Sequence, residues 1–318
     1  MLDRIITELL QNQNADGGWG AMRGKGSNTE ATSLAVMALQ ALADEATAAN
    51  RKRGIEWLAR QQNHNQSWPL NEAVKEGSWT TALAITALGD SSEHSGRVLA
   101  AARWLLEQEG SKPGILAEIV LWATGKSGAN KLNKDLIGWS WVPRSFSWVE
   151  PTSYALIALK KQRARLAGTN VDERIGQADA MIYDRMCDGG GWNYGNSKVL
   201  DYALWPYPDI TALALIAMQD HANEKANQES LQVLSKIALE TDSGFGLCWA
   251  AICLNLYGQD HSQFHKRIEK RFAATAFAHN NTFRAHSESI NNQVTNRNFA
   301  TSFNVGWARF QSDDVLLA

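Results

Sequence analysis

The sequence predicts an all-α fold of the α6/α6 double-walled toroid class, and three observations carry that expectation. Five segments align without gaps: TSLAVMAL (32–39), TALAITAL (81–88), TSYALIAL (152–159), TALALIAM (211–218) and LCWAAICL (247–254). A more polar segment of helical period precedes each of them. All six prolines fall between helical segments or at a first turn, where a missing N–H costs little.

The aligned segments read as inner helices. Each has Ala at its fourth position (Ala35, Ala84, Ala155, Ala214, Ala250) and Ala or Cys at its seventh. Small residues three apart share a helix face and let a neighbouring helix approach closely. The apolar residues around them cover most of the circumference, as in helices buried on nearly all sides. GILAEIVLWATG (114–125) is expected to be a sixth inner helix.

The outer helices are expected over 1–12, 51–62, 97–109, near 131–137, over 172–186 and over 231–240. Six pairs with inner helices apolar all round and no polar caps favour a closed ring over an open solenoid. The toroid is expected over residues 1–258 as one domain, with 259–318 a C-terminal helical extension and polar tail.

Bulk properties narrow the function. Hydrophobic residues make up 44% of the 318, enough for a sizeable core. A net charge of −2 with no block of like charges gives no footprint for nucleic acid. The N-terminal MLDRIITELL lacks the apolar core of a signal peptide, and no apolar run approaches the roughly 20 residues of a membrane span. A cytoplasmic protein is the resulting expectation. Three cysteines without CxxC spacing indicate neither a disulfide framework nor a cysteine-rich zinc site. Thirteen tryptophans are the compositional anomaly.

One of those tryptophans closes the string QNQNADGGWG (11–20), whose Gln13 to Trp19 fits QxxxGxW. Degraded copies run from Gln62 to Trp68, with Gln66 in the glycine position, and from Met186 to Trp192, with Met in the glutamine position. In register with the repeat, these strings resemble the QW motif of squalene-hopene cyclases. Over roughly residues 1–258 the chain thus resembles the prenyltransferase and squalene-oxidase repeat superfamily. That resemblance implies an α6/α6 toroid around an apolar cavity for an isoprenoid chain. Read physically, the string is structural: the glycines permit positive φ and end an outer helix. The Gln amide bonds backbone at a neighbouring helix end, and the Trp fills the wedge between helices.

Two residues before the aligned Thr stand Glu30, Glu150 and Asp209. All inner helices start at one end of the ring, so these carboxylates should share one rim near the cavity mouth. Acids at helix N-termini are also favoured by the macrodipole alone. Class II terpene cyclases start with a carboxylic acid from a DxDD signature, and aromatic faces stabilise the cations that follow. The matching stretch here is Tyr207-Pro208-Asp209-Ile210-Thr211-Ala212, which retains only the middle acid. The resemblance therefore implies Asp209 as proton donor, with Glu150 and Glu30 assisting.

Protein prenyltransferases hold zinc through Asp, Cys and His. Here Glu30 stands for the Asp and Thr32 for the Cys, which argues against that chemistry. His261 and His265 are four apart, but an exposed polar helix explains them, so neither metal nor cofactor is expected. Trp79, Trp148, Tyr154, Trp205, Tyr207 and Trp249 are the candidate cavity aromatics, and Arg144 is placed to pair with Glu150 or a ligand diphosphate. Trp139 and Trp141 are two further aromatics for such a lining, although packing between helices explains all of them without a ligand. The expectation is an isoprenoid-binding toroid with cyclase-like acid catalysis. The alternative is a non-catalytic lipid carrier or partner toroid. Peripheral membrane contact, a partner protein and homo-oligomerisation stay open.

Overall fold

The computed structural model describes residues 2–89, 91–110, 132–133, 135–143, 145–199 and 202–281. In chain order its helices alternate between two walls. They are α1 (Leu2–Gln11), α2 (Thr29–Leu42), α3 (Ala48–Gln61), α4 (Thr80–Leu88), α5 (Ser95–Leu106), α6 (Val149–Gln162), α7 (Val171–Asp184), α8 (Pro208–Ala217), α9 (Lys225–Glu240), α10 (Gly244–Leu256) and α11 (Ser262–Asn281). The even-numbered helices are the inner wall, and each carries one of the five aligned segments. Every residue of α4 is buried, whereas α3 buries only Gly54, Trp57 and Leu58.

Inner helices pack in sequence order, α2 on α4, α4 on α6, α6 on α8 and α8 on α10. The alanines at their fourth positions are at most 1% exposed, which is what lets these backbones come close. Helix α11 packs on α10, and its Phe272 ring lies 5.2 Å from the Arg4 guanidinium of α1. The last helix thereby reaches back to the first and brings the two ends of the ring together. The expected sixth inner helix at 114–125 and the polar tail from 282 lie outside the described residues. The outer helix expected near 131–137 does not form at residues 132, 133 and 135–137. A short antiparallel hairpin, β1 (Lys198–Val199) with β2 (Tyr202–Ala203), is the one departure from an all-helical reading among the described residues.

One bonding pattern repeats at four seams between outer and inner helices. Trp19 donates its backbone N–H to Thr32 Oγ1 at 2.9 Å and its indole N–H to Leu9 O at 2.8 Å. Trp68 does the same with Thr81 (2.9 Å) and Leu58 (2.7 Å). Trp192 uses Thr211 (2.9 Å) and Ile182 (2.7 Å). The fourth member is Trp139, with Thr152 and Leu105 each at 2.9 Å. Each indole donates to a carbonyl in the last turn of an outer helix, one that at Leu105 and Ile182 also accepts from a backbone N–H, and each inner-helix Thr holds the tryptophan backbone. Trp139 is therefore a seam residue, although no glutamine or second glycine precedes it at the expected spacing.

Where a glutamine is present, at the Trp19 and Trp68 seams, it ties the seam to the next outer helix. Gln13 Nε2 donates to Gly17 O (2.8 Å) and to Asn50 O on α3 (2.9 Å). Gln62 Nε2 donates to Gln66 O (3.0 Å) and to Arg97 O on α5 (3.3 Å). Asp16, inside the opening string, accepts from Gly18 N–H, the Ser27 hydroxyl and the Trp57 indole. Burial raises its carboxyl, but those hydrogen bonds and the charge of Arg60 outweigh it and hold the group below its ordinary value.

The glycine position of the string shows why glycine is preferred there. Gly17 has φ 98°, Gly190 has φ 105°, and Gln66 is forced to φ 74°. An L side chain in this region costs roughly 1–2 kcal/mol, part of which glycine returns through the entropy of its unfolded state. The Gln66→Gly variant is expected to gain about 0.5–1 kcal/mol in urea unfolding. A loss of stability would show that the exposed Gln66 side chain, which donates to His64 O, outweighs the strain.

At the opposite end of the inner wall a second device repeats. Eight residues after the aligned Thr, Gln40 Nε2 donates to Ala87 O of α4 at 2.9 Å. In the same register, Lys160 Nζ donates to Ala217 O of α8 at 3.0 Å. The ends of α4 and α8 are thus each capped by a side chain of the preceding inner helix.

Candidate functional site

The register of the repeat defines the lumen. Two residues before the aligned position stand Glu30, Trp79, Glu150, Asp209 and Phe245, all at the N-terminal ends of inner helices. Four residues later, on the same helix face, stand Leu34, Leu83, Tyr154, Leu213 and Trp249. Tyr154 of α6 and Trp249 of α10 have ring centroids 6.3 Å apart, although α8 stands between those two helices in the wall. Their rings can meet only in front of α8, inside the ring. This face is the lumen face, and the three carboxylates belong to it.

The structure therefore brings Glu30, Glu150 and Asp209 to one mouth, where Glu150 is 5% exposed and the other two are half-buried. An aromatic lane runs from their own level, at Trp79 and Phe245, to the level below, at Tyr154 and Trp249. Trp141 meets Trp79 edge-on at 4.9 Å, Trp79 stacks on Tyr154 at 5.7 Å, and Phe245 meets Trp249 edge-on at 6.1 Å. Phe245 joins the lane without having been singled out as a cavity aromatic. The alignment held the signal for Phe245, since it occupies the register of the acids. Carboxyl groups above aromatic faces can deliver a proton and then stabilise the cation formed.

Below this layer the ring is packed. Leu34, Leu83, Tyr154, Leu213 and Trp249 are at most 3% exposed. One turn further in, Met37, Thr86, Ile157, Ile216 and Ile252 are at most 5% exposed. Among the described residues these two levels of the inner wall are closed to solvent.

The remaining candidates lie elsewhere. Trp205 is 84% exposed and Tyr207 49%, so both stand on the rim outside the lumen. Trp148 precedes α6 and packs against the backbone of Gly195. Arg144 lies outside the described residues. Of the large hydrophobic side chains exposed among the described residues, all but Leu2 and Leu239 sit in the loops that lead into α4, α6 and α8. Phe146, Tyr194, Tyr202 and Trp205 are prominent among them. The mouth is thus ringed by an apolar, aromatic rim.

A second cluster sits at the other end of the inner wall. The Lys160 ammonium, 3% exposed, donates to Asp179 Oδ1 (2.9 Å), Asp220 Oδ1 (2.6 Å) and Ala217 O, which uses all three of its protons. His221 Nε2 lies 3.0 Å from Asp179 Oδ2. That hydrogen bond raises the imidazole above its ordinary pKa against the opposing effect of burial. Asp179, Asp220 and His221 have ligand-capable atoms within 4.8 Å of one another, but the ammonium already occupies the centre of that group. His261 and His265 meet edge-on at 4.9 Å around the start of α11. Burial pushes the Cys187 thiol up to about 11 and the Cys253 thiol well above the usual range, which disfavours the thiolate at both.

Solved structures share this architecture. A variant of the type II terpene cyclase MstE from Scytonema, in complex with its substrate geranylgeranyl dihydroxybenzoate, is 16% identical, with a TM-score of 0.55 over 96% of this chain and 95% of that one. A novel alpha-amylase from Clostridium perfringens gives a TM-score of 0.57 at 9% identity over 95% and 97%. A protein from Actinoplanes gives 0.54 at 12% over 96% and 98%. The chain has the α/α toroid fold. No family model and no curated protein matches it. Because neighbours of different activity share the toroid, the fold locates the site and the chemistry must be argued from its residues. Among the described residues no helix is long and apolar enough to cross a membrane.

Proposed function

We propose that this toroid binds an isoprenoid or similar apolar molecule at the mouth of its inner ring and protonates it from Asp209. The observation that carries the reading is the shared lumen face of Glu30, Glu150 and Asp209 with Trp79, Tyr154, Phe245 and Trp249. The protonated Asp209 carboxyl gives its proton to one carbon of an alkene, and the neighbouring carbon becomes a carbocation. The aromatic faces stabilise that cation, ring closure follows, and loss of a proton restores neutrality. Glu150 and Glu30 assist by holding the acid in place. The solved MstE complex with a geranylgeranyl substrate supports this ligand class at the level of the fold.

A second reading rests on a specific observation. The packed lumen suits a non-catalytic toroid that holds a lipid at its mouth or serves a partner protein, because catalysis on a folded chain needs a dry, hollow site. In either reading the aromatic rim contacts a membrane surface from which an apolar ligand arrives, since Trp and Tyr suit the boundary between lipid and water.

The test is incubation of the pure protein with squalene and with farnesyl and geranylgeranyl diphosphates, beside Asp209→Asn, with vesicle co-sedimentation in parallel. Product formation is expected to fall about 10²–10⁴-fold in the variant. Undiminished turnover would remove Asp209 from the role, and retained isoprenoid without product would favour the second reading. Failure to sediment with vesicles would sink the membrane contact.

A further inference from the structure

We infer that Tyr154 and Trp249 form a bar across the inner ring that sets how far a ligand can enter. The inference rests on the proposed apolar ligand at the mouth and adds what limits its length. Tyr154 and Trp249 come from helices that are not neighbours in the wall, and their rings meet in front of α8. Both are buried, at 3% and 0% exposure. Trp79 stacks on one end of the pair and Phe245 abuts the other, so each ring is held on two sides and cannot swing freely.

At the same level the other described inner helices present Leu34, Leu83 and Leu213. The bar therefore consists of the two large side chains in a layer of leucines. It lies four residues, about 6 Å along the helix axis, below the acids. That depth admits one end of a chain and leaves a long chain outside. A smaller side chain at either position would open space continuous with the mouth, because the neighbours in a close-packed interior relax only in part.

The experiment compares wild type, Trp249→Leu and Tyr154→Leu for binding of geraniol, farnesol and geranylgeraniol by equilibrium dialysis. Circular dichroism checks that each variant is folded. Benzene uptake, read as a rise in melting temperature, reports the opened space independently of any isoprenoid. Wild type is expected to prefer geraniol, and at least one folded variant to gain geranylgeraniol binding by about tenfold or more, with benzene stabilising that variant and not wild type. Geranylgeraniol bound equally by wild type and variants overturns the bar and leaves the isoprenoid reading standing. Benzene uptake by a variant with no prenol bound to any protein upholds the bar and overturns the isoprenoid reading. Equal benzene response in all three overturns the bar.

Discussion

Lys160→Met is expected to lower the unfolding free energy by about 3–5 kcal/mol, the range seen when one partner of a buried ion pair is removed. Methionine retains much of the chain's volume, so the effect isolates the charge. What it leaves behind is Asp179 and Asp220, with side chains 10% and 20% exposed and no ammonium between them, together with the carbonyl of Ala217. The loss also depends on pH. The folded-state pKa of His221 is raised above its ordinary 6.5, so its stabilising contribution is full below about pH 6.5 and disappears as pH rises through the folded value. The Lys160 charge opposes that rise, and removing it moves the imidazole higher still. His221 in the variant therefore compensates part of the missing charge at pH 6 and little of it at pH 9. Urea unfolding at the two pH values checks this. A penalty below 1 kcal/mol, or one larger at pH 6, would contradict the role given to the ammonium.

Nothing in the sequence near Lys160 announces this cluster. Its partners are 19 and 60 residues away and have no repeat of their own, since the equivalent position in α2 is Gln40 and makes one carbonyl bond. The walls were readable because alternating polar and apolar helices leave a periodic record, and the three acids could be placed on one rim by counting from Thr32, Thr152 and Thr211. The bar was not readable in the same way. Tyr154 and Trp249 share a register, but only the curvature of the ring brings side chains of α6 and α10 together across α8. The string before Trp139 hides its seam for another reason. The bonds that define a seam come from the tryptophan, an inner-helix threonine and an outer-helix carbonyl, and these survive when Gln and Gly are replaced.

That same logic separates the tryptophans by consequence. Trp192→Ala is expected to cost about 3–5 kcal/mol, because the side chain is 0% exposed and no local collapse can fill the wedge between α7 and α8. The substitution also strips Ile182 O of its indole donor, although the backbone N–H bond to Thr211 Oγ1 persists in any residue. Trp192→Phe separates the two terms. It retains most of the ring volume and loses the indole bond while Arg185 N–H still donates to Ile182 O, so a cost of about 0.5–1.5 kcal/mol is expected from the lost hydrogen bond and the imperfect fit. Trp139→Ala should match Trp192→Ala within about 1 kcal/mol if the four seams are equivalent, since both side chains are buried and make the same two bonds. Trp205→Ala, at 84% exposure, should stay within about 0.5 kcal/mol. Chemical denaturation of the four variants checks the ordering. If Trp139→Ala behaved like Trp205→Ala, the common geometry of the seams would not be a common source of stability. The threonine register from which the lumen face is counted would then have no energetic basis at that helix.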